Sequence, residues 1–358
     1  MALHFHTLTI KEVRRETADC VSIAFEIPVS LQNEFEFVQG QSIAVRVFDK
    51  DEEIRRSYSI CSSPLDRELR VAVKKVSGGY FSTLANSTLK NGDTMEVMSP
   101  SGNFYTKLDP SNNKNYIAFA AGSGITPVLS IIKTTLATEP LSSFTLVYGN
   151  RNTNSIIFKE ELEALKDKYM ERFMMIHVLS REKTESDINY GTINAEKCMH
   201  LSKVVDLPEF DEFFLCGPES MIFSVKEHLE MNGVNQKNIH FELFTTPVRK
   251  NKTITETGTV ASSGNSSLIT VKVDGRSFDF SLDYDSNNIL DAALAEGADL
   301  PFACKGGVCC TCKARLVEGK VEMEVNYGLE PDEVAAGFIL TCQSHPRSEK
   351  VVVDYDVK

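Results

Sequence analysis

The chain has 358 residues, 42% of them hydrophobic, nine cysteines and a net charge of −12. That length suits two or three domains with ordinary cores, and the acidic balance excludes nucleic-acid binding through phosphate contacts. The odd thiol count, and a start ("MALHFHTLTIKEVRRETADC") that is not an apolar signal segment, read as a reduced, cytoplasmic protein; no run approaches the length of a membrane span.

Residues 1–105 alternate apolar and polar positions in six runs: "HTLTIKEV", "CVSIAFEI", "QSIAVRVF", "RRSYSICS", "LRVAVKKV" and "DTMEVMSP". Gly, Pro, Asn and Asp break them, which predicts a small antiparallel β-barrel. In the fourth run Arg56 and Tyr58 share a face, a guanidinium beside a flat aromatic, as a dinucleotide's pyrophosphate and ring require. An ordinary strand with a surface Arg and a core Tyr fits the same residues. After the fifth run, "KKVSGGYFSTLAN" sets Gly78 and Gly79 ahead of Tyr80, Phe81 and Ser82. A helix starting there offers free N–H groups and a hydroxyl to a phosphate.

Residues 106–245 change rhythm. "NYIAFAAG", "FTLVYGN", "FMMIHVLS" and "EFFLCGP" are continuous apolar runs separated by helical patterns such as "SIIFKEELEALKDKY" and "SMIFSVKEHLEMNG". This is the pattern of a doubly wound α/β domain with a parallel sheet. "FAAGSGITPVLS" reads as strand, Gly-rich turn and helix: Gly122 and Gly124 let the backbone approach a pyrophosphate, and Pro127 sits in the first helical turn. Asn150 and Arg151 end one strand, Ser180 and Arg181 the next. Hydroxyl and guanidinium donors suit a ribose 2′-phosphate and hence NADPH, with NADH and a merely solvated Arg as the alternatives. "FFLCGPESM" runs the last strand into a helix.

Residues 246–266 are polar, rich in Thr and Ser, and read as a linker. From 267 to 358 a third unit opens with a hairpin turning at Asp274-Gly275 and a short helix, "NILDAALAEG". "CKGGVCCTC" follows, where Cys304, Cys309 and Cys312 have the spacing C-x4-C-x2-C and Cys342 lies 30 positions further on. This is the plant-type [2Fe–2S] spacing, with Gly306 and Gly307 supplying backbone freedom and N–H donors to sulfur. Zinc competes, but only one knuckle of the zinc type is present. Cys310 reads as a filler beside the cluster, and Cys20, Cys61 and Cys198 as buried thiols. Residues 317–333 carry six acidic side chains against one Lys, which fits either a docking face for a partner or a solvated loop.

The ordered set R-x-Y-S, G-x-x-S, G-x-G-x-T-P and C-G-P resembles the ferredoxin-NADP reductase family, whose barrel binds FAD. By that resemblance Arg56 and Ser82 hold the flavin pyrophosphate, Tyr58 stacks on the isoalloxazine and Ser59 reaches its N5. Ser57, Val73, Lys74, Lys75, Gly79, Tyr80 and Phe81 border the cofactor, with FMN the lesser alternative. Gly122, Ser123, Gly124, Ile125, Thr126 and Pro127, with Asn150, Arg151, Ser180 and Arg181, are implied for the pyridine nucleotide. Cys216 faces the nicotinamide C4, Gly217 and Pro218 close the turn, and Glu219, Ser220 and Met221 follow. Tyr58, Ser59 and Cys216 are the implied catalytic positions, Cys216 by positioning rather than as a nucleophile.

Nearly the whole chain, including "RRSYSICSSP", "YGNR", "FKEELEALKDKY" and "PFACKGGVCCTCKARLVEG", resembles the reductase subunits of phenylacetyl-CoA epoxidase. Cys310, where those relatives more often have Ser, is the departure. The resemblance implies an α+β (β-grasp) [2Fe–2S] ferredoxin domain at the C-terminus and electron flow from NADPH through FAD and the cluster to a di-iron oxygenase. Reductases of ketosteroid hydroxylases and fatty-acyl desaturases share the three-part order. A redox sensor without turnover and a flavin reductase with a vestigial cluster are the other readings.

Overall fold

The computed structural model describes residues 4–50, 52–244 and 265–357, so all but the last two residues of the expected linker lie outside the described residues. The first sheet is formed by β1 (Phe5–Thr17), β2 (Cys20–Glu26), β3 (Ser42–Asp49), β4 (Glu52–Ser59), β5 (Leu69–Lys74) and β6 (Thr94–Met98), all antiparallel. Their order is β4-β3-β6-β1-β2-β5, and a bridge between Ile60 and Val71 joins the two edges into a barrel. The period-2 pattern sends Leu8, Ile10, Ile23, Ile43, Val45 and Val71 into its interior, each worth about 2 kcal/mol when buried. Helix α1 (Tyr80–Ser87) adds Phe81 and Ala85 to that core.

The second sheet is parallel, ordered β11-β10-β7-β8-β9, from β7 (Asn115–Ala121), β8 (Ser143–Asn150), β9 (Phe173–Leu179), β10 (Glu212–Gly217) and β11 (Ile239–Leu243). On β7, Tyr116, Ala118 and Ala120 face one core while Ile117 and Phe119 face the other. Both faces are covered, by α2 (Ile125–Thr138) and α3 (Lys159–Lys168) on one side and α4 (Ala195–Leu201) and α5 (Glu219–Met231) on the other. Hence the runs are apolar without alternation. The helix expected from residue 155 starts only at Lys159, because Ile156, Ile157 and Phe158 are buried and Phe158 is left-handed (φ 59°). Strand order reverses between β7 and β10, which opens a crevice at their C-terminal ends.

The third unit contains β12 (Ser266–Val273), β13 (Arg276–Asp283), α6 (Ile289–Ala295), β14 (Lys313–Glu318), β15 (Val321–Met323), α7 (Pro331–Ala335), β16 (Phe338–Leu340), β17 (Ser344–Pro346) and β18 (Lys350–Asp354). Its main sheet runs β13-β12-β18-β14-β16 with β12 and β18 parallel at the centre, and β15 pairs with β17 beside it. The expected hairpin turn is present, with Asp274 and Gly275 both at positive φ. Asn288 caps α6 by accepting from the Asp291 N–H, and Ile289, Leu290 and Ala293 pack on the sheet. Among the described residues no helix is long and apolar enough to cross a membrane.

Candidate functional site

Between α6 and β14 the chain turns through two left-handed residues, Lys305 (φ 50°) and Gly307 (φ 73°). The expected freedom of Gly306 and Gly307 thus falls on Lys305 and Gly307, while Gly306 donates its N–H to Cys304 Sγ at 3.3 Å. A Cβ on Gly307 would stand 2.9 Å from the Val325 carbonyl oxygen. Cys309 Sγ lies 3.1 Å from Cys304 Sγ; Cys312 and Cys342 form a second hydrogen-bonded pair, and Gln343 Nε2 donates to Cys342 Sγ at 3.5 Å. The bond from Cys309, together with the N–H groups of Gly306, Val308 and Cys309, holds the Cys304 thiol down at about 6. Cys342 is lowered by its bond from Cys312, and Cys309 and Cys312 are pushed up as the donors. Among the described residues no three Cys, His, Asp or Glu side chains converge as a single-ion site. Two sulfur pairs side by side, with main-chain N–H groups aimed at them, fit a two-iron group instead.

The other thiols have different surroundings. Cys310 donates to the Gly328 carbonyl at 2.7 Å, and burial pushes it up to about 12. Burial likewise takes Cys20 and Cys198 up to about 12 and Cys61 well above its ordinary value. Of the six acidic side chains in 317–333, Glu318, Glu322, Glu324 and Glu333 carry a Lys350, Arg347, His345 and Lys313 partner respectively, so the stretch is not a bare negative face.

On the barrel, Arg56 is exposed, and Tyr58 packs against Phe81 with centroids 5.3 Å apart. Ser57 and Ser59 point to the opposite side of the strand. Ser59 Oγ donates to Glu242 Oε2 at 2.7 Å. Burial raises this Glu242 carboxyl to about 7, against the lowering effect of the Ser59 bond. At the start of α1 the Ser82 hydroxyl is already used inside the loop, accepting from Val76 N–H and donating to Gly79 O, so what faces outward there is the N–H set of the first turn. Tyr80 and Lys75 are exposed, whereas Val73 is wholly buried and its carbonyl accepts from Asn86.

Lys74 connects this surface to the crevice, its Nζ lying 3.8 Å from where a Cβ of Gly122 would be. The Gly-rich turn is held from below by Tyr148, whose hydroxyl donates to Gly122 O at 2.9 Å, and by Thr126 bonding to Ser123 O. Ile125 and Pro127 are buried in α2. A Cβ on Gly124 would meet the Cys216 carbonyl oxygen at 2.0 Å, so glycine is what lets the turn and the end of β10 close. Cys216 is paired in register with Ala120 and Glu242, its side chain fully buried and its thiol pushed up by burial. Gly217 and Pro218 lead into α5, where Glu219 and Ser220 open the first turn and Met221 is buried. Ser180 and Arg181 donate their N–H groups to Asn150 O (2.9 Å) and Arg151 O (2.7 Å), so the two strand ends lie side by side, and Arg151 and Arg181 are both exposed.

Glu242 escaped the sequence reading. "IHFEL" is a short strand whose acid looks solvated until the fold half-buries it beside Ser59. A cleft of about 640 Å³ between β1 and α3 is lined by none of the candidate residues, and much of its charged wall is paired internally, as in Lys133 with Asp66 and Glu161.

Comparison with known proteins defines the class. Residues 7–105 match the oxidoreductase FAD-binding domain, 119–227 the oxidoreductase NAD-binding domain, and 271–347 the 2Fe-2S iron-sulfur cluster binding domain. The chain is therefore an oxidoreductase that uses FAD, a pyridine nucleotide and a [2Fe–2S] cluster. It is 46% identical over 355 residues to a component of the 1,2-phenylacetyl-CoA epoxidase of Escherichia coli (strain K12), covering 99% of this chain and 98% of the relative. It is 34% identical to the 3-ketosteroid-9-alpha-monooxygenase ferredoxin reductase component of Rhodococcus rhodochrous, covering 97% and 96%. The fold of phthalate dioxygenase reductase matches 98% of both chains at 24% identity with a TM-score of 0.57. The chain belongs to the family of the phenylacetyl-CoA epoxidase reductase components.

Proposed function

We propose that this protein carries electrons from NADPH to a di-iron oxygenase that epoxidises the ring of phenylacetyl-CoA, in the cytoplasm. Its domains on this reading run 1–105, 106–245 and 267–358, joined by 246–266. When bound, FAD supplies the change from hydride to single-electron transfer, and the cluster carries electrons onward one at a time.

The chain's residues have the following roles on this reading. Arg56 and the first turn of α1 bind the flavin pyrophosphate, and Tyr58 and Ser59 line the ring. The Gly122–Gly124 turn and Lys74 neutralise the nucleotide pyrophosphate, and Cys216 with Gly217 sets the depth of the nicotinamide pocket. Arg151, Ser180 and Arg181 receive a 2′-phosphate, which favours NADPH. Glu242, titrating near 7 beside Ser59, holds or releases a proton next to the flavin ring. Cys304, Cys309, Cys312 and Cys342 hold the irons.

The observation that carries the reading is the pairing of four sulfurs, three from a loop packed against the barrel and the fourth, Cys342, from a distant segment. The epoxidase assignment rests on the 46% identity to the epoxidase relative, against 34% for the ketosteroid one. Anaerobic stopped-flow mixing with NADPH and with NADH is expected to bleach the flavin faster with NADPH and then to reduce cytochrome c. Adding the oxygenase components of the epoxidase and phenylacetyl-CoA is expected to yield epoxide. Colourless protein lacking iron and acid-labile sulfide would sink the reading, and failure with the epoxidase alone would redirect the search to another oxygenase.

A further inference from the structure

The cysteine loop is wedged into the corner between the barrel and the parallel sheet. Ala303 and Cys309 pack on Ala44 and Met98 of the barrel, and Val308 and Tyr327 pack on the core that contains α5, with the Tyr327 and Phe223 rings 5.9 Å apart. Asn103 donates to Glu333 Oε2 at 2.6 Å, a carboxylate that also pairs with Lys313. At the edge of this wedge Arg55, only 6% exposed, reaches from β4 into the third unit. Its guanidinium carbon lies 3.8 Å from the Phe302 ring centroid and 5.0 Å from that of Phe5. Nη1 donates to the Leu300 carbonyl at 3.1 Å, and Nε donates to Glu53.

Neighbouring strand residues point to opposite sides, so Arg55 faces the third unit where Arg56 faces solvent. Phe302 lies two residues before Cys304. One strand of the barrel therefore touches the flavin-side surface with one arginine and the approach to the first cluster cysteine with the next.

We infer that Arg55 is a positioning residue for electron transfer from flavin to cluster: by clamping Leu300 and Phe302 to β4, it fixes the distance between the two redox groups within one chain. The inference rests on the placement of flavin and cluster given above. A guanidinium suits the task because it stacks on a ring through its face while donating through its edge, which an ammonium cannot do at the same geometry. If the 300–302 segment moves away, Arg55 loses the Leu300 carbonyl and the Phe302 ring together and keeps only Glu53, which lies on its own strand.

The test compares the holoenzyme with Arg55→Met, Arg55→Lys and Phe302→Leu. Single-turnover stopped flow separates flavin bleaching by NADPH from the later reduction of the cluster, and amide hydrogen exchange reads residues 300–303. In Arg55→Met, bleaching is expected within about twofold of the parent, while cluster reduction slows by about tenfold or more, the scale set by a lost buried cation–π contact and hydrogen bond. Exchange over 300–303 is expected to quicken to a similar degree, with Arg55→Lys between the two. Cluster reduction within about twofold of the parent, at unchanged flavin and iron content, overturns the inference. If Arg55→Met loses its flavin, Phe302→Leu decides: slowing with flavin retained supports the clamp, and the parent rate overturns it. A parent protein without flavin or iron overturns the site assignment and this inference with it, a failure recognisable before any substitution is made.

Discussion

The cysteine loop and the flavin–nicotinamide corner use sulfur, backbone N–H groups and glycine in opposite ways. In the loop, Gly306 N–H and its neighbours reach Cys304 within a few residues, and the thiol is held low; at the corner, Cys216 is sealed in a core and its thiol is pushed up. Gly307 serves a left-handed turn that also passes close to the Val325 carbonyl, whereas Gly124 has no positive φ and makes room only for the end of β10 at Cys216. Ser59 and Glu242 meet across 183 positions. Three of the four sulfurs thus come from one short segment and one from a distant turn, while a dinucleotide corner is assembled from ends of several strands.

The sharpest way to break this contrast is to remove one loop sulfur. Cys309→Ser is expected to abolish the cluster's visible absorption and nearly all cytochrome c reduction while flavin bleaching by NADPH persists; retained cytochrome c activity would mark the cluster as vestigial. Next in size is Gly124→Ala, whose methyl group overlaps the Cys216 carbonyl. A loss of about 3 kcal/mol in urea unfolding is expected, with weakened NADPH binding.

Arg181→Ala should raise the KM for NADPH by about tenfold through a lost charge-assisted hydrogen bond, and leave that for NADH unchanged. Equal effects on both nucleotides would count against a 2′-phosphate contact.

The smallest effect sharpens the comparison most. The Glu242 carboxyl titrates near 7 in the fold, above its ordinary value, so it is protonated below that pH and charged above it. A pH profile of flavin bleaching is expected to show an inflection near 7 that Glu242→Gln removes with a rate change of about threefold. Ser59→Ala should move the inflection upward, since the Ser59 bond lowers that pKa. The same shift bears on stability. Because the raised value favours the protonated form in the fold, stability from this group is full below about pH 4.5 and declines as pH rises through 7.

Much of the architecture was legible because its signals are local. Six alternating runs specified the barrel, four unbroken apolar runs the parallel sheet, and Asp274-Gly275 the hairpin. Local signals also misled: "SIIF" continues a helical pattern, yet Ile156, Ile157 and Phe158 are drawn into the core and α3 begins after them. At Ser82, read as a phosphate ligand, the hydroxyl bonds within its own loop, a detail the sequence does not show. Strand β11 and helix α4 are too short to announce themselves.

By itself the sequence determined the three kinds of unit and a cysteine spacing of the [2Fe–2S] type, since strand periodicity and the Cys304–Cys312 spacing act over a few residues at a time. Only the tertiary structure decided that Glu242 lies half-buried against Ser59, that Gly124 must admit the Cys216 carbonyl, and that Arg55 lies between Phe5 and Phe302. Those contacts join segments up to 247 residues apart, where burial rather than local propensity sets what each side chain meets.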